Sequence, residues 1–197
     1  MRIIAGNNRG TTLKAPKGMA TRPTLGRVRE SLFSILGGTF NNITVVDLFA
    51  GAGGLGFEAL SRGAKRCYFV EKSFAAIGCL RENAAKLHYD RRGENAQALI
   101  IAKDAIAFCK TPLSDATDTA DLIFLDPPYN VGLAHRTMQA IQSCEWVAQG
   151  ATVVCQCGAR EAVEAQYGNL RCIRTEVYGD TAVHFYDEEK TNTEQTS

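Results

Sequence analysis

Short apolar segments alternate with helix-forming stretches along most of this chain, and this alternation restricts the possible folds more than any other feature. Strands are predicted near residues 43–48, 67–71, 97–101, 121–126 and 151–156. Helices are predicted near residues 56–62, 73–88, 105–110 and 132–143. Strands that are joined through helices lie parallel in one sheet, with helices on both faces. The pattern therefore predicts an α/β fold around a mostly parallel sheet.

Two further strands are predicted close to the C-terminus. The segments 170–177 and 181–186 flank the sequence Tyr178-Gly179-Asp180, which is typical of a hairpin turn. An antiparallel hairpin at the edge would bring the sheet to seven strands. The last residues, 192–197, are polar, and we expect them to be disordered.

Positive charge is concentrated in the first 38 residues, although the net charge of the whole chain is only +1. Seven Arg and Lys residues oppose one acidic residue, Glu30, which gives this segment a net charge of +6. Its sequence predicts a small β-hairpin over 2–13 with a basic tip, followed by a helix over 24–36. A basic surface attracts phosphate groups, so we expect this end to contact nucleic acid. The alternative is a charged surface that contacts only solvent.

The strand predicted at 121–126 ends in the residues that say most about chemistry. The apolar run Ile123-Phe124-Leu125 is followed by Asp126-Pro127-Pro128-Tyr129. An exocyclic base amine is a weak nucleophile because its lone pair is conjugated into the ring. The Asp126 carboxylate, which we expect to be ionised at neutral pH, and the Pro127 carbonyl could accept both N–H groups of such an amine. Tyr129 offers a face for an unstacked base, although the residues would also suit an ordinary proline-rich turn.

A glycine-rich turn follows the first predicted strand of the sheet. Gly51, Gly53 and Gly56 match the spacing G-x-G-x-x-G, which also occurs in tight turns that bind no ligand. A dinucleotide enzyme would place a pyrophosphate over these amides. Asp47 at the mouth of the loop disfavours phosphate and favours a cation, on a scale of about 4 kcal/mol for unit charges about 4 Å apart. S-adenosylmethionine is cationic and carries no phosphate.

Two more acids follow the next two predicted strands. Glu71 ends the strand near 67–71, where it could accept hydrogen bonds from both ribose hydroxyls of an adenosine. Asp104 follows the strand near 97–101, where it could meet the adenine edge. Each acid alone would be an ordinary residue at a strand end. Together with Asp47 and Asp126, they mark the edge along which ligands of parallel sheets bind.

These residues give the chain a resemblance to class I methyltransferases, and specifically to the bacterial 16S ribosomal RNA guanine-N2 methyltransferase family that modifies guanine 966. The match spans nearly the whole chain and rests on residues 22–24, 27–30 with 32–33, 47–56, 126–129 and 178–181. Many methyltransferases share the glycine loop, and amine-methylating ones share the Asp-Pro-Pro-Tyr turn. Only the N-terminal block points to this family. The chain departs from the family at Cys155-Gln156-Cys157, which is neutral where the family often carries a glutamate.

The resemblance implies a Rossmann-like class I methyltransferase fold. It also implies direct, in-line methyl transfer from S-adenosylmethionine to guanine N2 in 16S rRNA, either free or in a small-subunit particle. It assigns catalysis to Asp126, Pro127, Pro128 and Tyr129. It assigns cofactor binding to Asp47, Phe49, Ala50, Gly51, Gly53, Glu71, Lys72, Asp104, Ala105 and Asp126. It assigns RNA contacts to Arg9, Arg22, Arg27, Arg29 and Tyr129.

One enzyme domain with short appendages is expected, because 197 residues, 45% of them hydrophobic, can bury a full α/β core. We assign residues 1–38 to a basic extension, 39–187 to the S-adenosylmethionine-dependent methyltransferase domain and 188–197 to a disordered acidic and polar tail. Seven cysteines without a leader peptide predict reduced thiols in the cytoplasm. We expect no membrane span, no second subunit and no metal, since the pair Cys155 and Cys157 lacks zinc-site spacing.

Other functions stay open on the sequence alone. The foremost alternative is methylation of another exocyclic amine, such as adenine N6 in DNA, because Asp-Pro-Pro-Tyr does not identify the base. A nicotinamide oxidoreductase would use only the glycine loop, and a non-catalytic RNA-binding module would use only residues 1–38. Carbon-5 methylation of pyrimidines is disfavoured, because the chain has no Pro-Cys step to supply the nucleophile.

Overall fold

Eight strands form one sheet in the computed structural model, which describes residues 1–16, 23–90, 96–113 and 117–188. The strands are β1 (Thr44–Leu48), β2 (Arg66–Glu71), β3 (Gln97–Ala102), β4 (Ala120–Leu125), β5 (Val147–Gly158), β6 (Gln166–Tyr167), β7 (Leu170–Tyr178) and β8 (Thr181–Glu188). The helices are α1 (Pro23–Ile35), α2 (Gly56–Ser61), α3 (Phe74–Lys86), α4 (Ala105–Cys109) and α5 (Leu133–Ile141). Across the sheet, the strand order is β3-β2-β1-β4-β5-β8-β7-β6.

The first five strands run parallel, and the direction of winding reverses between β1 and β4. β1 pairs with β2 on one side and with β4 on the other, so the loops that follow β1 and β4 diverge. Such a switch point leaves a crevice at the carboxyl ends of the strands. β8 then runs antiparallel to β5, and β7 runs antiparallel to β8. The predicted parallel sheet with an antiparallel C-terminal hairpin is confirmed.

The sheet differs from the prediction in two details. The eighth strand, β6, has only two residues, too few for a periodic pattern in the sequence, and pairs with the start of β7. β5 begins at Val147 rather than near residue 151, and its pairing with β4 is irregular between Ala120 and Leu122. A bulge of this kind interrupts the alternation from which strand ends are predicted.

Both faces of the sheet are covered by helices. In β4, Leu122 and Phe124 pack with α1, α2 and α3, whereas Ile123 and Leu125 pack with α4 and α5. All four side chains are buried, and each such burial contributes about 1.5–3 kcal/mol. Apolar residues at consecutive positions, rather than at alternate ones, are what a strand needs when both of its faces are covered.

The N-terminal residues pack onto this core through α2. The predicted hairpin is present as one antiparallel bridge, Arg2 with Thr12. The fully buried carboxylate of Glu58 accepts hydrogen bonds from the N–H groups of Ile4 (2.7 Å) and Ala5 (3.0 Å), and it pairs with Arg62 Nε (2.8 Å). A buried acid is stable only when it is paired in this way. Residues 1–13 are therefore fixed against the domain rather than linked loosely to it.

The last described residue also corrects a prediction. Glu188, assigned to a disordered tail, ends β8, and its carboxylate accepts a hydrogen bond from the N–H of Gly150 at 2.7 Å. The rest of the predicted tail, residues 189–197, lies outside the described residues. All seven cysteines are free. Within the described ranges, the helices are too short or too polar to span a bilayer.

Candidate active site

A cavity of about 560 Å³ opens at the carboxyl edge of the sheet, where the loops that follow β1 and β4 diverge. Nine predicted site residues line it: Phe49, Gly51, Glu71, Lys72, Ala105, Asp126, Pro127, Pro128 and Tyr129. The turn between β7 and β8 closes another side with residues 178–181. The residues predicted to bind a cofactor and the turn predicted to hold an amine therefore face the same space.

The glycines of the loop after β1 have different structural tasks. Gly51 lines the cavity with a φ of 55°, in the left-handed region that side chains rarely adopt. Gly53 and Gly56 lie behind the cavity wall. A Cβ at Gly53 would stand 2.4 Å from the ring of Phe57, and one at Gly56 would stand 2.4 Å from the ring of Phe69. The spacing G-x-G-x-x-G thus reflects close packing as well as ligand access.

Phe49 and Ala50 connect β1 to this loop. Phe49 lines the cavity and has a φ of 64°, a conformation that costs about 1–3 kcal/mol in residues other than glycine and that clusters at functional sites. Ala50 is buried behind it and donates its N–H to the Val70 carbonyl at 3.0 Å. Phe49 is therefore placed for ligand contact, and Ala50 joins the ends of β1 and β2.

Asp47 lies beneath the loop rather than at its mouth, which corrects its predicted position. Its side chain is 2% exposed, and its Oδ2 accepts the N–H of Gly56 at 2.9 Å. Burial raises the pKa of Asp47 to about 7, and Asp126 and Glu71 also raise it, while the hydrogen bond lowers it. Asp47 therefore fixes the start of α2 to β1, and it is not among the residues that line the cavity.

Glu71 is held rigidly by backbone N–H groups at the cavity wall. Its Oε2 accepts the N–H of Gly51 at 2.8 Å, and its Oε1 accepts those of Lys72 (2.9 Å) and Ser73 (2.8 Å). An ionised carboxylate offers about four acceptor sites, so Glu71 retains capacity for a hydroxyl group in the cavity. The geometry suits the role in ribose binding that the sequence predicts.

Asp104 caps a helix instead of lining the cavity. Its Oδ1 accepts the N–H groups of Ile106 (3.1 Å) and Ala107 (3.3 Å), which begin α4. Its Oδ2 lies 3.5 Å from Lys72 Nζ. The neighbours of Asp104 on both sides, Lys103 and Ala105, do line the cavity. Capping explains why an acid follows β3, and the contact of Asp104 with adenine stays a prediction.

The turn after β4 is held by a side chain from β5. Gln156 Nε2 donates one hydrogen bond to Asp126 Oδ1 (3.0 Å) and one to Tyr129 Oη (2.7 Å). Tyr129 Oη also lies 3.5 Å from Thr181 Oγ1. The sequence noted Gln156 only as part of a neutral segment and Thr181 only as part of the family resemblance. It predicted neither contact, because strand register, which brings Cys155 opposite Leu125, is not visible in the sequence.

Burial changes the expected ionisation of Asp126. It raises the pKa of Asp126 to about 7, and Cys157 raises it as well, while the hydrogen bonds from Gln156 and Tyr129 lower it. The expectation that Asp126 is ionised at neutral pH used the pKa of an exposed aspartate, and burial shifts this pKa towards neutrality. Burial likewise raises the pKa of Tyr129.

The turn between β7 and β8 is a part of the wall that residue chemistry did not predict. Tyr178, Gly179, Asp180 and Thr181 all line the cavity. The Tyr178 hydroxyl is hydrogen bonded to Ser31 Oγ of α1 at 2.5 Å. The sequence indicated these residues as a hairpin turn and as part of the family resemblance, but not as part of a site. Through Ser31, the N-terminal extension contacts the wall of the cavity directly.

Of the predicted RNA-contact residues, Tyr129 lines the main cavity, and Arg9, Arg27 and Arg29 belong to the N-terminal extension. Arg9 and Arg27 are exposed, and with Arg2 and Arg29 they line a second cavity of about 480 Å³ between the hairpin and α1. Arg29 is partly buried, which lowers its pKa, and it donates a hydrogen bond to the Arg2 carbonyl. Arg29 thus also has a structural task. Arg22 lies outside the described residues.

The described parts of the chain contain no cluster of three or more His, Cys, Asp or Glu side chains that could hold a metal ion.

The sequence is similar to that of known methyltransferases over nearly its full length. Residues 1–187 match the family described as Conserved hypothetical protein 95. The ribosomal RNA small subunit methyltransferase D of Escherichia coli K12 is 31% identical over 96% of this chain and 90% of its own length. YlbH of Bacillus subtilis is 34% identical over 94% of this chain and 98% of its own length.

Solved structures agree with this relationship. The structure of yhhF from Escherichia coli has a TM-score of 0.79 and 32% identity, and the match covers 96% of this chain and 98% of that one. The T. thermophilus 16S rRNA N2 methyltransferase RsmC, solved with AdoMet and guanosine, has a TM-score of 0.66 at 18% identity, over 88% of this chain and 45% of its own. The second likeness shows the fold alone. The class I methyltransferase fold is confirmed, and the chain belongs to the family described as Conserved hypothetical protein 95, together with the ribosomal RNA small subunit methyltransferases D that it resembles.

Proposed function

We propose that the protein transfers a methyl group from S-adenosylmethionine to the exocyclic N2 of a guanine in 16S rRNA, the position being guanine 966 as in the family that it resembles. One observation carries the proposal: Asp126 and Tyr129 line the same cavity as Gly51 and Glu71. Acceptors for an amine and an acceptor for ribose hydroxyls thus share one space. The names of relatives, rRNA small subunit methyltransferase D, support ribosomal RNA as the substrate.

The cavity fits S-adenosylmethionine, which supplies an electrophilic methyl group when bound. Its volume lies within the usual range for small-molecule sites, about 300–1,000 Å³. Glu71, held by three N–H groups, has remaining lone pairs for ribose hydroxyls. Asp126 lines the cavity and its pKa is raised by burial, so a cation in the cavity would stabilise its ionised form. A phosphate would have the opposite effect.

The turn after β4 would hold the guanine amine. In its ionised form, the Asp126 carboxylate accepts one N–H, and the Pro127 carbonyl accepts the other. As nitrogen forms its bond to the methyl carbon and the carbon–sulfur bond breaks, an amine proton becomes acidic and passes to Asp126. The ring of Tyr129 supports the base, a stacking contact worth about 1–3 kcal/mol. The rate is gained mainly from alignment and from acceptors that are in place before reaction.

We assign the RNA contact to residues 1–38 and the chemistry to residues 39–187. The exposed Arg2, Arg9 and Arg27 surround a cavity between the hairpin and α1 that phosphate groups could approach. The contact between Ser31 and Tyr178 joins α1 to the wall of the main cavity. The base has to be unstacked to reach Asp126, which costs least in an RNA loop. We expect the reaction to take place in the cytoplasm, either on free 16S rRNA or on a small-subunit particle.

The test compares modified nucleosides from cells with and without the gene. We expect loss of N2-methylguanosine from one position of 16S rRNA, restored by the wild-type gene and not by Asp126→Ala. Purified protein should then transfer labelled methyl groups to small-subunit particles from the deletion strain. If N6-methyladenine disappeared from DNA while 16S rRNA was unchanged, the amine acceptor would be adenine and the proposal would fail.

A further inference from the structure

One side chain outside the motifs holds both functional ends of the turn after β4. Gln156 is 5% exposed, and its amide nitrogen donates to Asp126 Oδ1 at 3.0 Å and to Tyr129 Oη at 2.7 Å. A primary amide nitrogen has two N–H groups, so this pair of contacts uses both. The same atom therefore limits the distance between the carboxylate and the phenol.

The turn itself has few other means of holding these two side chains. Pro127 and Pro128, which separate them, have no N–H with which to bind a neighbouring strand. The next residue, Asn130, donates its N–H to Glu161 Oε2 at 2.9 Å, which fixes the backbone beyond the turn. Of the side chains themselves, Tyr129 interacts with Asp126 directly, and its Oη lies 3.5 Å from Thr181 Oγ1. Gln156 donates a hydrogen bond to both Asp126 and Tyr129.

The neutrality of Gln156 matters because of the groups around it. Three ionisable side chains surround the amide of Gln156 and the Asp126 carboxylate. Asp47 lies beneath the loop, Cys157 follows Gln156 on β5, and Tyr129 accepts a hydrogen bond from Gln156. The charged groups that line the same cavity are Glu71, Lys72, Lys103 and Asp180. A carboxylate at position 156 would lie within hydrogen-bond distance of Asp126 and would have to share a proton with it. An amide avoids this repulsion and leaves Asp126 free to accept.

We propose that Gln156 is the positioning residue of the methyl acceptor site. Its side-chain amide holds the Asp126 carboxylate and the Tyr129 ring at the separation that the base amine requires. It acts through these two side chains and is not itself a catalytic residue. This inference rests on the proposed methyl transfer to a base amine. It adds that a side chain of β5 sets this separation, and that in this chain the side chain is a neutral amide, where the family often carries a glutamate.

The experiment measures single-turnover methyl transfer from labelled S-adenosylmethionine to small-subunit particles of the deletion strain between pH 5.5 and 9. Gln156→Glu should move the rising limb of the pH profile upward by about one unit or more, because like charges in contact raise a pKa by that order. Gln149→Glu, the same change at an exposed position of β5, should follow the wild-type profile. Superimposable profiles for Gln156→Glu and wild type would overturn the inference.

A second variant covers the case in which Gln156→Glu does not fold. Gln156→Leu keeps the approximate volume and removes both donors, so the rate should fall by about 10- to 100-fold across the pH range, as expected for displaced reacting groups. Its affinity for S-adenosylmethionine, measured by titration calorimetry, should stay within about threefold of wild type. A rate within twofold of wild type would refute the positioning role. If wild-type protein transfers no methyl group to the particles, the proposed function fails instead, and the two failures are thereby distinguished.

Discussion

The two walls of the main cavity are held in different ways. On the wall that we assign to the cofactor (Phe49, Gly51, Glu71, Lys72 and Ala105), the key carboxylate of Glu71 is fixed by backbone N–H groups, two of them from its sequence neighbours. On the acceptor wall (residues 126–129 and 178–181), Asp126 and Tyr129 are fixed by side chains of β5 and β8. The contacts that hold the first wall are mostly between residues close in sequence. Those that hold the second wall depend on correct pairing of distant strands.

This difference predicts separate consequences for substitutions. Changes on the cofactor wall should weaken binding of S-adenosylmethionine, and changes on the acceptor wall should slow transfer after binding. A variant that altered both quantities equally would show that the walls are not independent. The expected effects below decrease from about 100- to 1,000-fold in rate to about two- to fivefold in KM.

The largest effect is expected for Asp126→Asn. The amide keeps the shape of the side chain but replaces a negative acceptor with a neutral group that also donates. Loss of one preorganised electrostatic contact costs about 100- to 1,000-fold in rate, and we expect a loss in this range. Single-turnover transfer to small-subunit particles measures the rate, and calorimetry should show cofactor affinity within about threefold of wild type. Transfer at the full rate would remove Asp126 from the mechanism.

Glu71→Gln should affect the other quantity. A hydrogen bond to a charged group contributes about 1.5–3 kcal/mol, so the affinity for S-adenosylmethionine should fall by about 10- to 100-fold. Transfer at saturating cofactor should change by less than about threefold. Glu82→Gln is a matched control, because Glu82 is an exposed carboxylate of α3 whose side chain is 58% exposed and pairs with Lys14. Equal weakening by both changes would indicate a general charge effect.

The pH dependence of transfer should report the acceptor wall. Because burial raises the pKa of Asp126 to about 7 and the ionised form accepts the amine, the rate should rise about tenfold between pH 6 and pH 8. Asp126→Asn should remove this dependence from its residual rate. A flat wild-type profile across this range would show that Asp126 is already ionised at pH 6 or does not accept the amine.

Stability of the free protein should change with pH in the opposite direction. The folded-state pKa values of Asp47 and Asp126 are both raised from 3.8 to about 7, so the native state binds more protons than the unfolded state between these values. Their contribution to stability is fully present below about pH 4 and is lost as the pH rises through about 7. Thermal melts at pH 5.5 and 8 should show the decline, and Asp126→Asn should reduce it.

Most of the fold could be predicted from the sequence, because most strands and helices have a recognisable pattern in their own residues. The strands from β1 to β4 are apolar at consecutive positions. Ser73 precedes α3, and its side chain caps the helix by accepting the N–H of Ala76. β6 left no such pattern, because a two-residue strand exists only through its pairing with β7. The long start of β5 was missed for the same reason, since it depends on an irregular pairing with β4.

The site was predicted in part, and the division follows the two walls. Gly51 belongs to the glycine-rich turn and Glu71 ends β2, so each could be recognised from its local sequence, and both line the cavity. Gln156 reaches its partners through strand register, and Tyr178 contacts α1 through packing between distant elements. No local sequence pattern encodes either contact. Asp47 was placed at the mouth of the loop because spacing does not show on which side of a loop a carboxylate lies. Its pKa, like that of Asp126, depends on burial, which only the fold reveals.

The smallest effect is expected for Ser31→Ala, which tests whether the RNA-contacting extension acts on the acceptor wall. The Ser31 hydroxyl is hydrogen bonded to that of Tyr178 at 2.5 Å, and a neutral hydrogen bond contributes about 0.5–1.5 kcal/mol. We expect the KM for small-subunit particles to rise by about two- to fivefold, with cofactor affinity unchanged, because the Tyr178 side of the cavity would no longer be tied to α1. Ser34→Ala is the matched control, since Ser34 is exposed on the same helix. If the two variants had equal KM values, the contact would be structural only, and the extension would act on the RNA without positioning the cavity wall.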